Sequence, residues 1–283
     1  MKALRLSNLA FGFALLAGLL IFGFPLYWMI RGALIPQALW IKEPIVWIPA
    51  LRDLTLDAFR QLFGGETHIT RVISNSALLA FCCMTFNVVF DCMAGFALAK
   101  MKTPGRKLIL GALLFTMMIP FESMMVTLYL VVAKLSLANT MAGVVLPMMA
   151  NAFGIILMHR FFEKVPDDLI EAALIDGADW GTILWRVAVP LAAPAIATIA
   201  VFNFLAGWEA FIWPMLITDP NSQFDVLQKV IANATYATAS GSSEGKWSLL
   251  MATALVSTLP VLLLFLFGQR FFVKGLSAGA IKG

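Results

Sequence analysis

Charge is scarce in this sequence. Of its 283 residues only 13% are Asp, Glu, Lys or Arg, where a soluble chain carries about 25%, and 61% are hydrophobic. Histidine occurs twice, at His68 and His159, and cysteine three times, at Cys82, Cys83 and Cys92, all in one apolar run. That inventory gives neither a convergent metal site nor a disulfide framework, and the cysteines read as small apolar fillers of a membrane helix. No Ser/His/Asp set and no H-E-x-x-H spacing stands out, so a membrane enzyme ranks last among the readings. No G-x-x-x-x-G-K-[ST] run occurs, so the chain offers no phosphate cradle for a nucleotide. The net charge of +4 is spread over loops without an aromatic platform, which argues against nucleic acid as a partner.

Long hydrophobic runs are what the sequence has instead. A bilayer core takes about 20 mostly apolar helical residues, and six stretches qualify: Leu9 to Ile30, Val72 to Ala99, Leu108 to Val132, Thr140 to Met158, Ala193 to Ile217 and Leu249 to Phe267. The expected fold class is therefore an all-α polytopic membrane protein, with residues 1–283 as a single transmembrane domain. The first run follows Lys2 and Arg5, but at about 22 residues it exceeds the roughly 7–15 of a signal-peptide core, so an uncleaved anchor is expected. Lys and Arg favour the inner side of a membrane. With the N-terminus inside, twelve of the 20 fall inside and eight outside, and KMKTPGRK between the second and third runs holds four of them. Both termini, and the segment between the fourth and fifth runs, are then cytoplasmic, in a bacterial-type inner membrane.

That segment, residues 160–192, is out of place in so apolar a chain. Pro166, Asp167 and Asp168 suit the start of a helix, and Leu169, Ile170, Ala172, Ala173 and Ile175 are expected to form its apolar face. Gly177 can take the left-handed geometry that ends a helix, and Asp179 can cap a second one, Trp180 to Val189. Pro190 and Pro194 mark the entry to the fifth run. The residues leave two readings open: an interfacial hairpin dipping into lipid headgroups, or a docking element for another protein.

The spacing Glu171-Ala172-Ala173, three residues, Gly177, nine residues, then Val187-Ala188-Val189-Pro190 resembles the EAA loop of ATP-binding-cassette importer permeases. Val187 and Val189 stand where that family has Ile and Leu. The C-terminal GQRFFVKGLSAGAIKG is similar to the end of the smaller, six-helix permease of the maltose importer. GWEAFIWPMLITD, Gly207 to Asp219, resembles a fifth-span segment of carbohydrate permeases, with Trp208-Glu209 in place of Trp-Asn. The resemblance spans about Leu9 to Gly283. It implies that Glu171, Ala172, Ala173, Asp176 and Gly177 form a coupling helix seated on a nucleotide-binding subunit. It also implies a second, different permease, two such ATPase subunits holding ATP and Mg, a solute-binding protein, and no cofactor in this chain.

Three acidic residues fall within or beside the apolar runs: Asp91, Glu122 and Glu209. A charge at the bilayer centre costs on the order of 3 kcal/mol, so each is expected to face a cavity or a partner. Asp91, in a run rich in small residues, reads as structural. Pro120 before Glu122 suggests a broken helix. For a hydroxylated solute the expected pathway residues are Glu122, Asn203, Trp208, Glu209 and Trp213, since indoles stack on sugar C–H faces while amides and carboxylates bind hydroxyls. Both Trp residues could instead belong to an interfacial belt, and Asn87 and Asn203 could cross-link helices. The loop from Gly32 to Thr70 suits a receptor-facing surface, and the polar loop from Thr218 to Trp247 is expected to be mobile. Two alternatives remain: an importer of glycerol-3-phosphate or another polyol, and an ion-coupled secondary transporter using the acidic residues, although no paired inverted halves are visible.

Overall fold

The computed structural model describes residues 2–40, 45–65, 68–220, 222–239 and 246–280, with side chains from 11 to 266. The described residues are helical and contain no strand. They fall into two units, Met1–Thr70 with Val230–Pro260 and Arg71–Lys229 with Val261–Gly283.

The first unit holds α1 (Lys2–Leu34), which passes through Pro25 without ending, and the short α2 (Asp57–Gly64). Past α1 the chain is pinned by its own aromatic residues. The Arg31 guanidinium donates to the Val46 carbonyl and lies over the Trp28 and Trp40 rings at 4.5 and 5.5 Å. Trp40 in turn stacks on Trp247 at 5.9 Å. The loop expected between Gly32 and Thr70 thus contains ordered turns and a helix, while residues 41–44 and 66–67 lie outside the described residues.

The second unit is built on α3 (Ile69–Lys100), whose 32 residues give a length of about 48 Å, more than a bilayer core of about 30 Å requires. Around it lie α4 (Arg106–Met117), α5 (Phe121–Lys134), α6 (Met141–Val145) and α7 (Ala152–Phe162). Then come α8 (Asp167–Ile175), α9 (Trp180–Ile183), α10 (Val189–Leu191), α11 (Ala193–Trp208) and α12 (Ile212–Ile217). Two further helices, α13 (Leu227–Ala239) and α14 (Trp247–Ala280), belong in part to each unit.

Among the described residues three helices are long and apolar enough to cross a membrane: Phe11–Leu34, Ile69–Lys100 and Trp247–Leu266. Three further crossings are possible only if each of three bent pairs counts as one span. The apolar runs expected at Leu108–Val132 and Thr140–Met158 are each broken, by 100° between α4 and α5 and by 42° ahead of α7. The run at Ala193–Ile217 ends as a helix at Trp208 and resumes at Ile212. The causes are local. Pro120 has extended-type backbone (ψ 135°) at the N-cap of α5, as Pro120 had suggested, and Asn151 caps α7 by accepting from the Gly154 N–H at 2.7 Å.

The loop expected to be mobile between Thr218 and Trp247 contains the helix α13, and its residues 240–245 lie outside the described residues. Its entry is held by a buried ion pair, Lys229 Nζ to Asp225 Oδ1 at 2.6 Å, with Lys229 also donating to the Thr218 hydroxyl at 2.8 Å. The C-terminal segment GQRFFVKGLSAGAIKG continues α14 as helical backbone to Ala280, and residues 281–283 lie outside the described residues.

Candidate functional site

The segment from Asp167 to Leu191 is an elbow. α8 begins after Pro166 with Asp167 and Asp168 in its first turn, where carboxylates complement the helix dipole. It ends as the sequence demands: Gly177 has φ +83°, its N–H reaches the Leu174 carbonyl at 3.1 Å, and the Ala178 N–H reaches Ala173 at 2.9 Å. These two bonds form a Schellman stop, which a residue without Cβ enters at least cost. Asp179 then caps α9, accepting from the Gly181 N–H at 3.1 Å and the Thr182 hydroxyl at 2.5 Å. The Thr182 bond holds the Asp179 carboxyl below its ordinary range. From Leu184 to Ala188 the helix widens into a π turn before Val189, so the expected helix Trp180–Val189 is real but irregular.

The elbow is tied to the unit at its root. Lys100 Nζ, at the end of α3, donates to Asp167 Oδ1 and to the Val165 carbonyl, both at 2.6 Å. Arg106 of α4 reaches Glu163 at 2.6 Å and His159 at 2.8 Å.

The expected apolar face of α8 needs correction. Of its five residues only Ile170 is buried, and Ala173 is partly buried against the core formed by Phe96, Phe162 and Ile183. Leu169 is 45% exposed and Ile175 86%, with Leu174 beside them at 40%. A short helix rooted by charges at one end touches its own unit along one narrow stripe, and its remaining aliphatic groups face out. Glu171, Ala172, Asp176 and Gly177 are exposed with them.

The interior of the unit shows the opposite arrangement. Asn151, at the break before α7, donates to Asn87 Oδ1 of α3 at 3.3 Å and to Asn203 Oδ1 of α11 at 3.0 Å. Asn87 donates in turn to the Cys83 and Met148 carbonyls at 2.8 and 2.9 Å. This amide knot joins three segments across an apolar body. One turn along α3, Asp91 is fully buried beside Asn203, and among the described residues neither of its carboxylate oxygens makes a hydrogen bond of full geometry. It is seated against Gly154, where an added Cβ would lie 1.8 Å from Asp91 Oδ2.

The five expected pathway residues divide. Asn203, Trp208 and Trp213 are buried, while Glu122 and Glu209 are exposed. Asn203 serves the knot. Trp208 stacks nearly parallel on Phe204 at 6.2 Å, and Trp213 donates to the Gly143 carbonyl at 3.2 Å within the core of Leu79, Val144 and Ile217. Glu122 lies in the first turn of α5, where a carboxylate is welcome, whereas Glu209 caps the C-terminal end of α11, where the dipole opposes it. The sequence reading missed Asn151 and the Asp225–Lys229 pair. The four-residue spacing of that pair on a helix margin was the available signal.

A family model described as "Binding-protein-dependent transport system inner membrane component" matches residues 91–278. The chain is 30% identical to the arabinooligosaccharides transport system permease protein AraQ of Halalkalibacterium halodurans, over 97% of this chain and 96% of that one. It is also 30% identical to the sn-glycerol-3-phosphate transport system permease protein UgpE of Brucella suis, over 95% and 96%. Its fold is that of a chain in a bacterial ABC transporter involved in the import of the acidic polysaccharide alginate, with a TM-score of 0.82, 22% identity, and 96% and 98% of the two chains covered. The chain therefore belongs to the inner-membrane components of binding-protein-dependent transport systems.

Proposed function

We propose that this chain is one of two different permease subunits of an ATP-driven importer for a carbohydrate, and that the elbow is its coupling helix. The observation that carries the reading is the rigid, root-anchored elbow whose Ile175, Leu174 and Leu169 are left bare. Burying such a side chain against another protein contributes roughly 1.5–3 kcal/mol, and the bent loop at Gly177 fixes the angle at which a partner meets it. The chain is read as a single permease domain of six spans, the fifth beginning at Ala193 after the elbow, with both termini and the elbow in the cytoplasm. Two nucleotide-binding subunits hold ATP and Mg, and a solute-binding protein delivers the solute from outside. Closure of the ATPase pair drags Glu171, Ala172, Ala173, Asp176 and Gly177. The tie from Lys100 to Asp167 passes that displacement to α3, and the helix bundle turns from inward- to outward-facing.

The carbohydrate class is supported by the arabinooligosaccharide relative. The glycerol-3-phosphate relative supports a second reading, a phosphorylated polyol. Of the pathway residues, the exposed Glu122 and Glu209 are proposed to meet solute hydroxyls, with Asn203, Trp208 and Trp213 shaping the wall behind them. A carboxylate at the adverse end of α11 suits a neutral solute better than a phosphate, because like charges repel. The test is ATP hydrolysis by the purified complex with its receptor: oligosaccharides are expected to raise it and glycerol-3-phosphate to leave it flat. Gly177→Asp is expected to insert normally, cost about 1 kcal/mol at the left-handed position, and abolish solute-stimulated hydrolysis. Normal transport by that variant would remove the coupling assignment.

A further inference from the structure

We propose that the groove between α4 and α7 binds one anionic phospholipid, with its phosphate at the charged end and an acyl chain along the apolar end. The groove has a volume of about 290 Å³. Arg106, Lys107 and Arg160 line one end with Glu163, and Leu110, Leu114 and Ile156 line the rest. Arg106, Leu110 and Leu114 follow one another at four-residue intervals, so charge and apolar floor share one face of α4.

Three independent features of the charged end call for an anion. The first is an imbalance. Glu163 meets both Arg106 and Arg160, at 2.6 and 3.3 Å, and Lys107 has no ionic partner among the described residues. The second is the start of α4. This helix of 12 residues opens at Gly105 with no side-chain cap and no acidic residue in its first turn, so its positive end faces its own Arg106 and Lys107. A helix end of that kind, with cations beside it, is an anion site. The third is His159 in the groove wall, 2% exposed, with Nδ1 lacking a hydrogen-bond partner among the described residues. Arg106 Nη2 can only donate, so His159 Nε2, 2.8 Å away, accepts. The neutral ring then carries its proton on Nδ1, a buried donor without an acceptor.

The apolar half selects a lipid over a free phosphate. Leu114 is 55% exposed at the far end of the groove, an apolar opening suited to hydrocarbon. Cations at the end of a membrane helix are where phosphate headgroups lie. The leaflet, though not the chemistry, rests on the inward orientation proposed above.

The test takes the full chain purified with its partner subunits, passed through nanodiscs of phosphatidylcholine and phosphatidylglycerol, and counts retained lipid by native mass spectrometry. This readout involves neither transport nor ATP hydrolysis, so its failure would leave the coupling reading standing. One phosphatidylglycerol per chain is expected to survive washing that strips phosphatidylcholine. Lys107→Gln with Arg160→Gln, both exposed positions, is expected to lower retention about thirtyfold, at about fivefold per charge. Leu110→Trp, which fills the apolar end, is expected to lower it with the charges intact. Equal retention of the two lipids, or retention unchanged in the charge variant, would overturn the site. So would displacement by millimolar inorganic phosphate together with indifference to Leu110→Trp, which would leave a free-anion site only.

Discussion

Around half-buried Asn151 the chain buries two further amides and a carboxylate inside an apolar body; around Ile175, in the same unit, it leaves three aliphatic side chains bare. The two regions invert each other's chemistry. In a chain whose surroundings are hydrocarbon, apolar surface is an ordinary exterior, and polar groups form the specific links between helices because each must find a partner. On the orientation proposed above, α8 lies outside the hydrocarbon, where the ordinary rule returns, and its bare aliphatics are the surface proposed to meet an ATPase subunit. The knot therefore reads as internal architecture and the elbow as a contact.

That contrast can be broken by mutation, and the expected effects fall in order. Asn151→Leu strikes the knot hardest: it strands Asn203 Oδ1 and the Gly154 N–H. An unmade buried bond costs about 1–3 kcal/mol for each group, so a strongly lowered melting temperature of the purified protein is expected. Gly154→Ala comes next. It drives a methyl into Asp91 and is expected to cost about 1–3 kcal/mol as overpacking, read by the same melt. Ile175→Ser should leave stability within about 0.5 kcal/mol, as exposed substitutions do, yet weaken capture of the ATPase subunits in a pull-down. Equal capture would mean that the bare face is merely lipid-facing.

The smallest effect belongs to Asp179. Its carboxyl titrates below the ordinary range because Thr182 and the Gly181 N–H bind the charged form. A depressed folded-state value stabilises the elbow above the unfolded value and loses that contribution as pH falls through the folded one. The protection factors of the Gly181 and Thr182 amides, intrinsic exchange rates divided by the observed ones at each pH, should therefore be flat near neutrality and fall only in acid, whereas Asp179→Asn should remove the acid step.

Much of the elbow was legible in the sequence, because its features are local: a glycine four residues past Ala173 and an aspartate two residues further dictate a stop and a start. What was not legible depends on distant neighbours. Hydropathy reports that Leu108–Val132 is apolar but not that it turns by 100° within it. Asn203 carries no mark separating an amide that meets solute from one that meets Asn151. Leu169 and Ile175 were expected on one apolar face of α8, but composition does not reveal whether the aliphatic residues of so short a helix meet the chain itself or another molecule. Helix α13 hid in a polar stretch because Thr and Ala weaken its pattern.

The π turn at Leu184–Ala188 has a consequence for how motion leaves the elbow. Such a turn holds one residue more than an α-helical turn, so side chains before and after it are phased apart by about 100°. Trimming a single residue there would restore regular winding and swing the lever relative to α11 without touching its bare aliphatic tip. On the coupling proposed above, the gearing between push and response rests on one amino acid, independently of the surface proposed to receive the push.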